Sequence, residues 1–538
     1  MRARLLALPA RMPDPSHESP EAMTPSDRRS PRPAARLPSR LAVAALAALL
    51  ASCSAVGPDY VRPTIDIPAA YKESGPWKTA EPQAIDSRHP WWQAYRDSTL
   101  DHLMQQANQA NQNIAQAEAQ YRQARALADA ARAGLWPAVG VNAGVTRALS
   151  NSGGIKEGTF PSIGVGASWE PDVWGSVRRA VEAGNAGVQA SADDLAAARL
   201  SIQAALAQDY LQLRVTDLLI DLYAVTTEAY TRALQLAQSQ YAVGVALRSD
   251  VALAESQLRT AQAQGVDLQA QRSQLEHAIA ILTGKPPAAF ALPATAATMD
   301  QLGTHLPAIP TGLPSELLER RPDIAGAERR VALANANIGV AKAAYFPSLM
   351  LSASGGYSSA SFATLFNTPS RVWSLGAALA QTLFDGGLRK ARNAQALAAY
   401  DVSVAQYKQT VLNSLQQVED NLALLRVLDH EVVLQDQAVQ ASQLAERLAL
   451  AQYRAGTASY LSVVTAQTLS LANQRGAVQL RGRQLVASVA LITATGGGWD
   501  ATPANSAPVA STAPQAPGAV PQVANANLLN SELRKLKP

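Results

Sequence analysis

Cysteine is almost absent. Cys53 is the only one in 538 residues, so no intrachain disulfide can form and no CxxC or Cys/His ligand set can be assembled around it. The six histidines, at 17, 89, 102, 277, 305 and 430, are scattered. No HExxH or GxSxG occurs, and Gly284-Lys285 lacks the upstream glycine and following Ser/Thr of a phosphate loop, so enzyme chemistry has little to stand on. Glu170, Asp172 and Trp174 gather beside a strand end, where girdle and turn roles account for them better than acid/base work. Charge is equally unconcentrated: the net charge is +4, the pI is near 9.1, and no block of five or six like charges appears, which removes the electrostatic case for nucleic acid. Proline is missing from residues 172–285 and 370–502, which permits very long helices. No stretch after Cys53 supplies the roughly 20 apolar residues of a membrane helix, so any span must be made of strands.

What is present begins with the surroundings of Cys53. Arg36 and Arg40 precede the apolar run 41–50 and the small residues Ala51 and Ser52. This is a positive region, a short apolar core and a cleavage site, and the core is too short to remain as a membrane anchor. Leu50-Ala51-Ser52-Cys53 resembles the lipobox of bacterial lipoproteins, which implies a signal peptide over 1–52 and acyl chains on Cys53. Ser54 beside it implies sorting to the outer membrane. A buried free cysteine is the bland alternative. Residues 1–22 make the signal long, and translation is expected to start at Met23.

Four segments alternate with period two. Val139, Val141, Ala143 and Val145 alternate with Gly140, Asn142, Gly144 and Thr146, and Ile163, Val165, Ala167 and Trp169 do the same with Gly164, Gly166, Ser168 and Glu170. These predict strands over about 138–147 and 161–170, forming a hairpin around the loop 148–159. A second hairpin is predicted over about 348–356 and 372–384, through Leu349, Leu351 and Ala353 and back through Leu375, Ala377, Leu379 and Leu383. Each strand is about the 9–11 residues that a tilted membrane strand needs. Four strands cannot close a barrel, since the smallest membrane barrels have about eight, so a membrane-crossing chain must oligomerise.

Everything else in the body of the chain reads as long helix, and it reads so twice. Trp136-Pro137 recurs as Phe346-Pro347, Arg178-Arg179-Ala180 as Arg389-Lys390-Ala391, Tyr241-Ala242-Val243-Gly244 as Tyr453-Arg454-Ala455-Gly456, and Thr283-Gly284 as Thr495-Gly496. The offset grows only from 210 to 212, which composition alone does not produce. The first half, 99–284, is read as a short helix 99–134, a long one 174–241 of about 100 Å, and a short one 249–283. The second half, 315–496, repeats this as 315–345, 387–453 and 460–494. Two short helices can stack end to end beside each long one. The hairpins then emerge at one end, and the turns at Gly244 and Gly456 lie at the other. Residues 53–98 form an N-terminal segment, 285–314 a linker, and 497–538 an Ala/Pro-rich tail expected to be largely disordered. The fold class is mainly α with a small β part, in two structural repeats. A solid coiled-coil bundle is disfavoured because no sustained a/d heptad of Leu or Ile occurs.

The chain resembles the outer membrane efflux proteins, in the lipoprotein branch that serves resistance-nodulation-division pumps. The resemblance covers about 53–499 and rests on three stretches. One is Cys53-Ser54-Ala55-Val56-Gly57-Pro58-Asp59-Tyr60 with Arg62-Pro63. The second is Trp91-Trp92 with Asp97, Leu100 and Asn111. The third runs from Leu313-Pro314-Ser315-Glu316 through Arg320-Arg321-Pro322-Asp323-Ile324 and Ala327-Glu328-Arg329 to Ala344-Tyr345-Phe346-Pro347-Ser348. The resemblance implies a homotrimer with a twelve-stranded transmembrane β-barrel continuous with a long-helix α-barrel. It also implies a periplasmic membrane-fusion adaptor and an inner-membrane pump as partners, and no catalytic residue, metal or cofactor in the channel. Leu461 matches a constriction residue, while Thr465 and Thr468 stand where related chains hold an acidic and a basic gating residue, so a charged gate is not expected there. Asp250 is a candidate acidic ring member of the same aperture, or simply an Asp favoured at a helix N-terminus. Tyr241 and Tyr453, with Gly244 and Gly456, are candidate adaptor-contact tips, with ordinary helix-end packing as the alternative. The rival functions are a structural periplasmic lipoprotein spacer that conducts nothing and a protein-secretion conduit.

Overall fold

In a computed structural model the described residues are 55–73, 90–150, 156–294 and 320–497. Cys53, the expected signal 1–52, linker positions 295–314, loop positions 151–155 and the tail beyond 497 lie outside them. All the described residues belong to the unit that begins at Ser54.

Seven α-helices of the described residues are α1 (Ser98–Ala110), α2 (Gln112–Ala133), α3 (Ser176–Ala242), α4 (Arg248–Leu282), α5 (Pro322–Ala343), α6 (Leu388–Arg454) and α7 (Tyr460–Ala494). Four strands complete the set: β1 (Ala138–Ser150), β2 (Lys156–Trp169), β3 (Ser348–Ser358) and β4 (Arg371–Ala380). α3 and α6 each run 67 residues, about 100 Å at about 1.5 Å per residue. They persist because no proline interrupts them and because good helix formers fill them. Among the described residues no helix is long and apolar enough to cross a membrane.

The helix expected over 99–134 is two. The Asn111 carboxamide accepts from the Asn113 and Ile114 N–H groups at 2.9 and 3.2 Å, capping α2 after α1 has ended. Its amide also donates to the Leu282 carbonyl at 2.8 Å, so the break is where the end of α4 meets the α1–α2 corner. The second half makes the same joint with other chemistry. Arg321, buried at the start of α5, donates to the Ala494 carbonyl at the end of α7 at 3.1 Å. At both joints a glycine carries the turn, with φ +74° at Gly284 and +96° at Gly496. Each lies so near the facing backbone that a Cβ would fall 2.3 Å from the Ala110 carbonyl oxygen or 2.1 Å from that of Arg320. The short helices therefore stack end to end, α2 with α4 and α5 with α7. α3 packs against both stacks, and α6 packs on the second.

The two hairpins are one sheet of order β1-β2-β3-β4, antiparallel throughout. The pairing of β2 with β3, Ala167 opposite Ala353 and Val165 opposite Gly355, joins the halves. Two expected strand bounds are corrected. The first hairpin continues to Ser150 and from Lys156, so the stretch 148–159 is mostly ladder, with Arg147 and Glu157 bridging the strands at 3.0 Å. β4 stops at Ala380, and Leu383 lies past it. There Gly386 and Gly387, at φ +63° and +94°, turn the chain into α6 while Asp385 accepts from the Gly387 and Arg389 N–H groups.

Candidate channel wall and gate

The sheet register sorts side chains onto two faces of opposite character. One carries Val139, Val141, Val145, Val165, Leu351, Trp373, Leu375 and Leu379, most of them largely exposed. The other carries Gly140, Asn142, Gly144, Thr146, Ser162, Gly164, Gly166, Ser168, Ser352, Ser354, Ser374 and Gly376. Ser354 and Ser374 share a hydrogen bond across β3 and β4 at 2.8 Å. A sheet that exposes its apolar face and turns small polar residues the other way suits lipid outside and water inside. The outer edges of β1 and β4 lack a partner strand among the described residues.

At the far ends of α3 and α6 the two glycine turns come together. Ala237, Ala254, Tyr453, Tyr460 and Val463 form a small core there, with the Tyr453 and Tyr460 rings edge to face at 5.1 Å. Gly244 and Gly456, at φ +76° and +72°, have open space where a Cβ would stand. Tyr241 is half exposed, beside exposed Val243, Val245 and Leu247. Tyr453 is 6% exposed and belongs to the core, the helix-end packing that its alternative reading described. Burial pushes the Tyr460 phenol up to about 12 and raises that of Tyr453, and the Asp250 carboxylate adds to both. Asp250 is thereby placed at this tip. It accepts from the Leu247 N–H at 3.2 Å, the helix-starting geometry that its alternative reading described.

Leu461, Thr465 and Thr468 fall at i, i+4 and i+7 on one exposed face of α7, while Tyr460, Val463 and Gln467 fill the buried face. Leu461 is 59% exposed. Thr465 donates its hydroxyl to the Leu461 carbonyl at 2.9 Å. Among the described residues no group of three or more His, Cys, Asp or Glu side chains is gathered as a metal ligand set.

The strongest sequence motifs turn out to hold the wall together and lie away from the tip. Residues 55–73 run as a strap along α3, α5 and α6. Buried Arg179 donates to the carbonyls of Ala55, Val56 and Gly57 and pairs with Asp59 at 2.8 Å. Tyr60 donates to buried Glu328, Asn335 to the Pro58 carbonyl at 3.0 Å, and Arg62 to the Tyr407 hydroxyl at 3.3 Å. The Lys72 and Glu73 N–H groups end the strap on Glu419 at 2.7 and 2.9 Å. Trp91, Trp92 and Tyr95 fill the core beside the α1–α2 corner, and Asp97 both caps α1 and accepts from Tyr210 at 2.6 Å. Trp174 donates to the Pro347 carbonyl at 2.6 Å and stacks on Phe346 at 4.8 Å, while Asp172 caps α3 through the Val177 and Arg178 N–H groups. The strap could not be read from the sequence, although Arg179 stood within a repeated landmark.

A family model described as outer membrane efflux protein matches residues 103–285 and 313–497. The chain is 31% identical to the toluene efflux pump outer membrane protein TtgF of Pseudomonas putida over 469 residues, 85% of this chain and 96% of that protein. It is 32% identical to the pyoverdine export outer membrane protein OpmQ of Pseudomonas putida over 477 residues, 86% of this chain and 98% of that one. Among solved structures, the outer-membrane channel OprN matches with a TM-score of 0.76 at 29% identity, over 82% of this chain and 99% of that chain.

Proposed function

The chain belongs to the outer membrane efflux protein family, and from that premise we propose how it works: as one of three copies of a passive conduit fed from the periplasm. It is an outer-membrane channel of an efflux system. Three four-stranded sheets close a twelve-stranded barrel in the membrane, and the long helices continue the lumen into the periplasm. A periplasmic adaptor docks on the glycine-turn tips, an inner-membrane pump supplies the energy, and acyl chains on Cys53 add a second membrane attachment. The channel performs no catalysis and needs no cofactor.

The observation that carries this reading is the sheet. It exposes an apolar face, backs it with glycine, serine and asparagine, and leaves both edges open, so its two needs are lipid and further copies of itself. A periplasmic spacer would have no use for that face. TtgF and OpmQ, related to this chain at almost equal identity, are named for cargoes as unlike as toluene and pyoverdine, which fits a channel whose cargo is chosen elsewhere. Gating falls to Leu461, which is apolar and exposed beside the tip core, with Thr465 and Thr468 continuing its face and Asp250 as an acidic ring member of the same aperture.

The test is reconstitution of the full-length protein in planar bilayers, with its mass measured in detergent. Trimers that give discrete conductance steps are expected. A monomer, or a trimer that never conducts, would remove the conduit reading.

A further inference from the structure

Charge is distributed unusually on the sheet. Among strand residues whose side chains are described, only Arg147, Glu157 and Arg371 are charged, and the register puts all three on the apolar face. Among those residues the opposite, small-residue face carries none. Arg147 is nine positions from Ala138 at the helix-proximal end of β1, and Arg371 is nine positions from Ala380 on β4. At about 3.3 Å per residue that is about 30 Å along the strand, and with a tilt of about 40° a rise of about 23 Å. An outward apolar band is about 25 Å tall, so both guanidinium groups stand at its outer rim, facing lipid.

Their surroundings suit an interface. Trp373, 77% exposed, lies two residues from Arg371 on the same face, and Tyr357 opposite Arg371 sets its ring edge to face with Phe366 at 5.7 Å. Arg147 meets Glu157 through Nε at 3.0 Å, which leaves its other N–H donors for a second partner. No carboxylate pairs with Arg371 among the described residues. β1 and β4 are also the two open edges of the sheet, so closing a ring of copies sets β4 of one beside β1 of the next.

We propose that Arg147 and Arg371 form a binding site, on the lipid-facing outer rim at the seam between copies, for the phosphate groups of an outer-leaflet glycolipid. This rests on the trimeric barrel reading. A guanidinium matches phosphate with paired N–H donors, and a lipid-facing position gives an anchored headgroup access to it while the acyl chains lie on Val141, Val145 and Leu375 below.

The experiment uses the full-length trimer in mild detergent, incubated with bis-phosphorylated lipid A, its dephosphorylated form, or inorganic phosphate. Retained lipid is counted by native mass spectrometry, and conductance is recorded on the same preparation. Wild-type trimers should retain the phosphorylated lipid in preference to the dephosphorylated one, and inorganic phosphate at equal concentration should not displace it. Retention should fall about fivefold for each of R147Q and R371Q, with conductance unchanged. R147K/R371K should keep a large part of the preference, which guards against a fold defect in the glutamine variants. Equal retention of both lipids by the wild type, displacement by free phosphate, or undiminished preference in R147Q/R371Q would overturn the site. Wild type that forms no conducting trimer would overturn the barrel reading and this site with it.

Discussion

Four glycines offer a controlled experiment on what holds this chain together. Gly244, Gly284 and Gly456 share nearly one backbone conformation, φ +76°, +74° and +72°, and Gly496 is at +96°. An L residue in that region costs about 1–2 kcal/mol, whatever surrounds it. The surroundings differ sharply. A Cβ on Gly244 or Gly456 meets nothing within 4 Å, whereas on Gly284 or Gly496 it lands 2.3 or 2.1 Å from a carbonyl oxygen of the facing helix end. Backbone cannot rotate away as a side chain can, so the joint must open, adding about 1–3 kcal/mol. G244A and G456A should therefore each lose about 1 kcal/mol, and G284A and G496A about 3 kcal/mol or more. Urea unfolding of the purified protein, followed by tryptophan fluorescence, reads this directly, because Trp91 and Trp92 sit in the core that Leu282 packs against. Resistance in cells should rank the other way for the tip pair: G244A and G456A assemble but lose adaptor-dependent efflux. Equal destabilisation at all four sites, or a tip pair less stable than the joint pair, would refute the reasoning.

Leu461→Ala should raise the closed-state conductance in planar bilayers, and an unchanged value would remove Leu461 from the gate. Arg179→Gln should free the strap, so that limited proteolysis cuts within residues 55–62 while wild type stays intact; equal protection would show that the other strap contacts suffice. Asp193 supplies a pH test. Burial foremost, with Asp194 and Glu328 adding and Arg329 and Arg330 opposing, pushes its carboxyl up to about 6. The folded state thus binds this proton more tightly than the unfolded chain, whose value is about 3.9. The charged form weakens the fold above pH 6, and that loss is relieved as pH falls from about 6 towards 4. Asp193→Asn should unfold at higher temperature than wild type at pH 8, with the gap closing by about pH 4; a constant gap would contradict it.

Features set by local backbone demands were legible in the sequence. Period-two alternation gave the four strands, missing prolines gave the two 67-residue helices, and glycines at positive φ gave the turns and joints. Features set by what a residue meets across space were not. Tyr241 and Tyr453 hold one position in the repeat, yet one is 49% exposed and the other 6%. The difference lies seven residues on, where Tyr453 has Tyr460 to pack against and Tyr241 has Arg248. That contrast was present in the sequence and marks which tip is core and which is surface. The break at Asn111 was hidden for a related reason, because its second bond is to Leu282, 171 residues away.

The same distinction orders the molecule by firmness. Near the sheet, Arg179 gathers three carbonyls and Asp59, and the strap continues onto Glu328, Tyr407 and Glu419. At the joints, Gly284 and Gly496 lock backbone against backbone, and Arg214 and Arg272, both held by buried Asp217, donate to the carbonyls of Pro293 and Leu292. At the tip, a core of five residues remains, and within it the Tyr453 hydroxyl is buried without a hydrogen-bond partner among the described residues. A buried unpaired hydroxyl costs about 1–3 kcal/mol, which any movement that wets it recovers. Local opening is therefore expected first where the glycine turns lie, because the strap and the joints tie the wall nearer the sheet through hydrogen bonds and close backbone contact.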